Sequence, residues 1–161
     1  MEKDIKIRKY RDSDFRNVCL LIARTFRKFN YREGTRKGVR DYVDFYRHYK
    51  KNFKDIKGVF DKCNIFYVAV DGNKIVGVIR GIKNRIGNLF VDGDYQGRGI
   101  GSRLMIKFEN NARNLGSREI NIRSSICGVP FYESKGYKKV AYVTLMKGVR
   151  VQPMIKKFKR K

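Results

Sequence analysis

The segment Gln96-Gly97-Arg98-Gly99-Ile100-Gly101-Ser102 constrains this chain more than any other stretch. It sets alternate glycines between a β-type run, 85–91, and a helical run in which Ile100, Leu104, Phe108 and Ala112 recur four apart. Glycines allow positive φ and let the backbone approach a ligand closely. A helix that opens on such a turn presents unpaired N–H groups and the positive end of its dipole. The combination suits a diphosphate, with Arg98, Ser102 or Arg103 adding side-chain contacts. No GxxxxGK[ST] phosphate loop is present, and a GxGxxG dinucleotide motif fails because Ser102 and Arg103 follow Gly101. The alternative is a glycine-rich β–α turn that holds nothing.

Periodicity supplies the elements around this turn. Alternation in 4–10 predicts a short strand, and Asp12 or Ser13 can cap a helix whose stripe is Phe15, Val18, Cys19, Ile22, Phe26 and Phe29. The stretch 30–38 reads as a loop, and 39–53 as one amphipathic helix with Arg40, Arg47, Lys50 and Lys51 on its outer side. A hairpin is expected over 65–70 and 74–81 around Asp71-Gly72-Asn73, followed by the 85–91 strand. After the long helix, which Gly116 ends, come a strand at 118–124, a short helix within 127–136 and a strand at 137–147. The expected order is β-α-α-β-β-β-α-β-α-β, an α/β (α+β) domain over 1–148, with 149–161 a basic tail that begins ordered near Val151 and then frays.

Length and charge bound the possibilities. A chain of 161 residues suits one domain, and no apolar run approaches the roughly 18–20 residues that cross a bilayer. The opening MEKDIKIRKY mixes charged and apolar residues, unlike a signal peptide, so a soluble cytoplasmic protein without membrane contact is expected. Three cysteines with no CxxC and a lone His48 exclude a disulfide framework and most metal sites. Cys19, Cys63 and Cys127 read as small buried hydrophobes. With 39 Lys+Arg against 15 Asp+Glu, the net charge of +24 attracts polyanions, or else marks a solvated basic surface. The last six residues hold five of those cations, so the imbalance is not made by the end of the chain.

Residues Tyr95 to Leu104 resemble the [RQ]xxGx[GA] signature of the GNAT superfamily of acetyl-CoA-dependent N-acetyltransferases. Leu89-Phe90-Val91 resembles that family's fourth strand, and Phe131-Tyr132-Glu133-Ser134-Lys135-Gly136-Tyr137 its [FL]YxxxG[FY] segment. The resemblance implies a GNAT fold, a mixed and mostly antiparallel sheet flanked by helices. It also implies acetyl-CoA as co-substrate, no metal, and direct attack by a primary amine in a ternary complex. The coenzyme would lie between splayed fourth and fifth strands, against Leu89, Phe90, Val91, the turn from Gln96 through Gly97, Arg98, Gly99, Ile100 and Gly101 to Ser102, and Ser125. The N–H of Phe90 or Val91 would polarise the thioester, and Tyr132 would protonate the leaving thiolate.

This chain departs from the family pattern at three positions. Ser125 stands where several members carry Asn, while Asn88 and Asn121 stand where a Glu would serve as base. The base stays open among Asp92, Asp94, Glu33, His48 and a water relay. The family's acceptor surface maps onto Tyr31, Arg32, Glu33, Arg36, Lys37, Arg40, Arg47 and Lys50, which points to an anionic acceptor such as RNA, a ribosome-bound protein, an acidic peptide or a phosphorylated small molecule. A nucleic-acid-binding protein on the same fold with weak or no catalysis is the rival reading. Another acyl donor and a homodimer both stay open.

Overall fold

The protein, seen in a computed structural model, is described over residues 4–160; residues 1–3 and 161, the outer ends of the expected domain and tail, lie outside the described residues. Strands β1 (Lys6–Lys9), β2 (Ile65–Asp71), β3 (Lys74–Ile82) and β4 (Arg85–Val91) form an antiparallel meander. The β2–β3 turn bends at Gly72, where φ is +58°. β5 (Glu119–Ser124), β6 (Lys138–Lys139), β7 (Thr144–Met146) and β8 (Val149–Lys157) follow, and the strands adjoin in the order β1-β2-β3-β4-β5-β8-β6, with β7 also paired to β8. Every pairing is antiparallel except β4 with β5.

Both faces of the sheet are covered, which is why β2 and β3 read as nearly unbroken apolar runs. Val68, Val70 and Val78 face α1 (Phe15–Phe29), α2 (Arg36–Arg47) and α3 (Phe53–Asp61). Tyr67, Ala69, Val76 and Ile79 face α4 (Ile100–Asn114) and α5 (Val129–Ser134). No helix among the described residues is long and apolar enough to cross a membrane.

Four expectations give way. The helix expected over 39–53 is shorter: α2 starts at Arg36, where Thr35 Oγ1 accepts the Gly38 N–H at 2.9 Å, and ends at Arg47; a turn follows in which Asn52 donates to the Phe45 carbonyl at 3.0 Å, and the unforeseen α3 begins at Phe53. The first helix follows a 3-10 turn at Asp12–Asp14, so Asp14 is the residue before it, and its carboxylate accepts from Arg8 and from the Arg11 N–H. The strand expected at 137–147 reduces to β6 (Lys138–Lys139) and β7 (Thr144–Met146), separated by residues outside the sheet. Residues 149–161, expected as a tail, contain the nine-residue strand β8 (Val149–Lys157), which pairs with β5 from Glu119↔Lys157 to Ser124↔Gln152. The observed order is therefore β-α-α-α-β-β-β-α-β-α-β-β-β.

Of the cysteines, Cys19 alone is buried as expected, while Cys63 is partly covered and Cys127 exposed.

The loop between α1 and α2 is fastened to the start of β8. Gly34 bridges Val149, Thr35 N–H donates to the Gly148 carbonyl at 2.8 Å, and Arg150 N–H donates to the Glu33 carbonyl at 2.7 Å. A Cβ on Gly38 would lie 2.6 Å from the Gly148 backbone. Gly38→Ala should therefore destabilise the protein by about 1–3 kcal/mol through overpacking. Gly58→Ala is the control: a Cβ there meets nothing within 4 Å, so the helix should gain about 0.5–1 kcal/mol. Thermal melting of the pair measures both, and indistinguishable midpoints would contradict the close approach.

Candidate active site

Strands β4 and β5 pair only at Arg85↔Asn121 and Ile86↔Ile122. Beyond that point β4 stays with β3 through Val91, and β5 stays with β8 through Ser124. The direction of the freed backbone groups follows from the antiparallel alternation of β3 and β4. Asp92 N–H donates to the Val76 carbonyl at 2.8 Å, so Phe90, two residues earlier, turns its N–H to β3. Leu89 and Val91 turn theirs to the open edge. This narrows the expectation that either Phe90 or Val91 would polarise a ligand to Val91. Its carbonyl also faces that way and accepts Gln96 Nε2 at 3.1 Å.

The gap opens a cleft of about 480 Å³. Leu89, Phe90, Val91, Gln96, Gly97, Gly99, Ile100, Gly101, Ser102, Ser125 and Tyr132 all border it. Arg98 does not. Its guanidinium donates to the Asp94 carbonyl at 3.1 Å and lies 4.9 Å from the Tyr95 ring, so the expected side-chain contact is lost and its backbone alone belongs to the turn. Arg103 is likewise occupied, donating to the Ile5 carbonyl at 2.8 Å.

In the turn, Gly97 and Gly99 both have φ of +75°, and neither would crowd a Cβ, so it is backbone conformation that demands glycine. Gly99 precedes α4 without any side-chain cap, leaving the first N–H groups of the helix turned outward. The strand-to-turn junction is held by Asp92, buried and accepting from Arg24 Nη2 at 2.8 Å and from the Asp94 N–H at 3.1 Å. Burial pushes the Asp92 carboxyl up, but those hydrogen bonds and the charges of Arg24 and Lys74 outweigh it and hold it below the usual value. Tyr95 O–H donates to Asp71 at 2.6 Å and ties the turn to the β2–β3 hairpin.

On the facing wall, Tyr132 projects from α5, packed edge-on against Phe131 and Tyr137 at ring-centroid distances of 5.3 and 5.6 Å. Burial, and secondarily Cys127, push its phenol well above the ordinary value, which keeps the O–H protonated at neutral pH. Ser125 Oγ accepts the Gly128 N–H at 3.2 Å and steadies the bend into α5. Beside it, Cys127 N–H donates to Glu33, and Asn30 Nδ2 donates to the other oxygen of the same carboxylate. Burial and the Glu33 carboxylate raise the Cys127 thiol, against the influence of Ser125.

The four candidate bases separate clearly. Asp92 is committed to the turn, Asp94 is exposed, and His48 is exposed beside Asp44 at 3.8 Å, away from the cleft. Glu33 is buried and does not itself line the cleft, but both residues that donate to its carboxylate do. Asn88 and Asn121 lie off the cleft: one donates to the Tyr42 hydroxyl at 3.1 Å, the other to the Asn84 carbonyl at 3.2 Å.

Thr25, Phe29 and Asn30 of the first helical region also border the cleft, with Tyr95, Cys127, Gly128 and Phe131, none of them among the residues expected there. One signal was available for the first group. Thr25 interrupts an apolar stripe four residues before Phe29, and its hydroxyl is buried with no partner among the described residues. Among those residues no three His, Cys, Asp or Glu gather to hold a metal.

The family described as Acetyltransferase (GNAT) domain matches residues 30–158. The uncharacterized N-acetyltransferase YafP of Escherichia coli (strain K12) is 28% identical over 142 residues, covering 85% of this chain and 83% of that one. A GCN5-related N-acetyltransferase structure from Rhodopseudomonas palustris superposes with a TM-score of 0.80 at 15% identity, covering 98% of this chain and 99% of the other. The PaiA N-acetyltransferase of Thermoplasma acidophilum, solved in complex with coenzyme A, superposes with a TM-score of 0.75 at 18% identity, covering 96% and 99%. At those identities the two structures establish a shared fold.

The Arg24–Asp92 contact has a pH signature. A carboxyl held below its unfolded value of about 4 stabilises the fold above that pH and loses the contribution as pH falls through its folded value. Arg24→Gln should lower stability by about 0.5–1 kcal/mol near neutrality, since the arginine is half exposed. In melting scans from pH 7 to pH 3, the gap between the two proteins should close below about pH 4. A gap that does not vary with pH would contradict the assignment.

Proposed function

The chain belongs to the GNAT acetyltransferase family, and from that premise we propose that it moves the acetyl group of acetyl-CoA to a primary amine by direct attack in a ternary complex. One observation carries this reading: the free edge at Leu89 and Val91, the uncapped start of α4 and the Tyr132 hydroxyl all border a single cleft.

In this proposal the outward N–H groups of the turn and of α4 hold the coenzyme's diphosphate. Its pantetheine amides pair with Leu89 and Val91 as a short added strand, satisfying backbone groups that β5 leaves unpaired. The Val91 N–H then donates to the thioester oxygen as it becomes an oxyanion. The acceptor nitrogen bonds to the carbonyl carbon, the C–S bond breaks, and Tyr132 O–H protonates the departing sulfur, whose thiol resembles a cysteine's at about 8.5. The resulting phenolate recovers a proton from the new amide nitrogen. The net charge of +24 supports an acceptor carrying negative groups, such as RNA, an acidic peptide or a phosphorylated amine. The same charge favours a second reading, a nucleic-acid-binding protein on this fold with weak or no catalysis.

Tyr132→Phe should lower kcat by about 10²–10⁴-fold and leave acetyl-CoA affinity within about twofold. Labelled acetyl-CoA offered with a panel of peptides, amines and tRNA measures the first, and equilibrium binding the second; an unchanged kcat would refute the acid role. Gly99→Val forces a β-branched residue to φ of +75° and should abolish thermal stabilisation by CoA and acetyl-CoA. Stabilisation of the unaltered protein by RNA but by neither CoA species would favour the nucleic-acid reading.

A further inference from the structure

Among the described residues four carboxylates are buried: Asp14, Glu33, Asp92 and Glu109. Three have a cation in contact, Asp14 with Arg8 at 2.7 Å, Asp92 with Arg24 at 2.8 Å and Glu109 with Lys156 at 2.9 Å. Glu33 has none within 4 Å among the described residues, in a chain with 39 Lys+Arg. Its two oxygens each accept one neutral donor, from Asn30 and from Cys127. A carboxylate offers about four lone-pair directions, so each oxygen keeps room for another donor. Removing such a charge from water without a counter-ion is costly, and that makes the missing cation informative.

The surroundings say where the cation comes from. Asn30 and Cys127 both border the cleft, and so does Thr25, whose hydroxyl is buried without a partner among the described residues. The segments clasped together beside this buried anion form a basic rim: Arg32 and Arg36 flank Gly34 and Thr35, Lys147 and Arg150 flank the Gly148–Val149 stretch they pair with, and all four are exposed and contact no carboxylate among the described residues. Arg150 is held above the loop by donating to the Arg32 carbonyl at 2.8 Å. A buried anion directly behind the Asn30 and Cys127 wall, beside a basic rim, is complementary to a ligand of the opposite pattern.

We infer that Glu33 binds the ammonium group of the acceptor, which gives up one proton to solvent before it attacks as the neutral amine, and that the acceptor is a zwitterionic primary amine whose anionic groups lie against the Arg32, Arg36, Lys147 and Arg150 rim. This rests on the acetyltransferase reading and adds the acceptor's class to it. An acidic peptide's α-amine fits; a polyamine does not, because its remaining cations would meet the rim.

The probes are a tripeptide of alanine followed by two glutamates, its counterpart with two lysines, and spermidine, each offered with labelled acetyl-CoA. The acidic tripeptide should be acetylated with the highest kcat/KM. Glu33→Gln keeps the side chain's size and should raise KM for that peptide about 10–100-fold, the loss of one charge-assisted hydrogen bond. The melting midpoint should fall, because the new amide group faces one of the two donors, but acetyl-CoA affinity, which a merely structural strut would alter with it, should stay nearly constant. Glu33→Asp, which keeps the charge, should recover part of the acceptor affinity. Arg36→Glu should raise KM for the acidic tripeptide more than for the lysine one. An unchanged acceptor KM in Glu33→Gln, a matching fall in acetyl-CoA affinity, or preference for spermidine would each overturn the inference. Binding of acetyl-CoA with none of the three amines acetylated would overturn it while leaving acetyl transfer standing, whereas failure to bind acetyl-CoA would overturn the transfer reading itself.

Discussion

Two register pairs, Arg85 with Asn121 and Ile86 with Ile122, are the whole of the contact between β4 and β5 along the sheet. Each strand is secured on its other side, β4 by β3 and β5 by β8, so neither depends on the other above those pairs. Unpaired backbone groups inside a protein are unfavourable, and this sheet leaves Leu89 and Val91 without a strand partner on their open side, where only the Val91 carbonyl is met, by Gln96. A parallel pair also requires a crossover, here α4, and its glycine turn emerges where the strands separate. The binding edge, the phosphate-holding turn and the space between them are consequences of one interrupted pairing.

Acidic side chains are scarce in this chain, and most buried ones act as fasteners. Asp14 joins the first strand to the first helix, Asp92 joins that helix to the turn, and Glu109 joins α4 to β8 through Lys156 and the Tyr137 hydroxyl. Arg80 shows the converse: a buried cation content with neutral acceptors, donating to the Tyr46 hydroxyl at 3.2 Å and lying 5.2 Å from the Phe60 ring. Glu33, held only by amides, joins neither group, and the role proposed for it above is in binding and not in assembly.

Where structure arises from local pattern, it could be read in advance. The hairpin around Gly72, the glycine turn and the four-residue stripe of α4 are of this kind, and so is the placement of Tyr132 after the short-helix start at Val129. Elements fixed by distant partners could not. α3 buries only Ile56 and Phe60, too narrow a stripe to stand out. β8 carries Pro153 and a buried Gln152, a poor strand pattern in isolation; it becomes a central strand because Gln152 Nε2 finds the Ala141 and Pro153 carbonyls at 2.8 and 3.0 Å. Which of Phe90 and Val91 faces the cleft depends on the register with β3. Glu33 looked like a loop residue until the chain brought Cys127 beside it from 94 positions away.

The clasp between the α1–α2 loop and the start of β8 sets an order of assembly. The wall suited to the coenzyme draws on α1 and on segments up to Tyr132, all synthesised before β8. The loop that carries Glu33 is steadied by Gly148, Val149 and Arg150, which emerge later. A nascent chain can therefore pair β2, β3 and β4 and pack α1 and α4 on them first, while the cleft wall that follows β5 and the Glu33 loop both become fixed only when the final strand slots between β5 and β6.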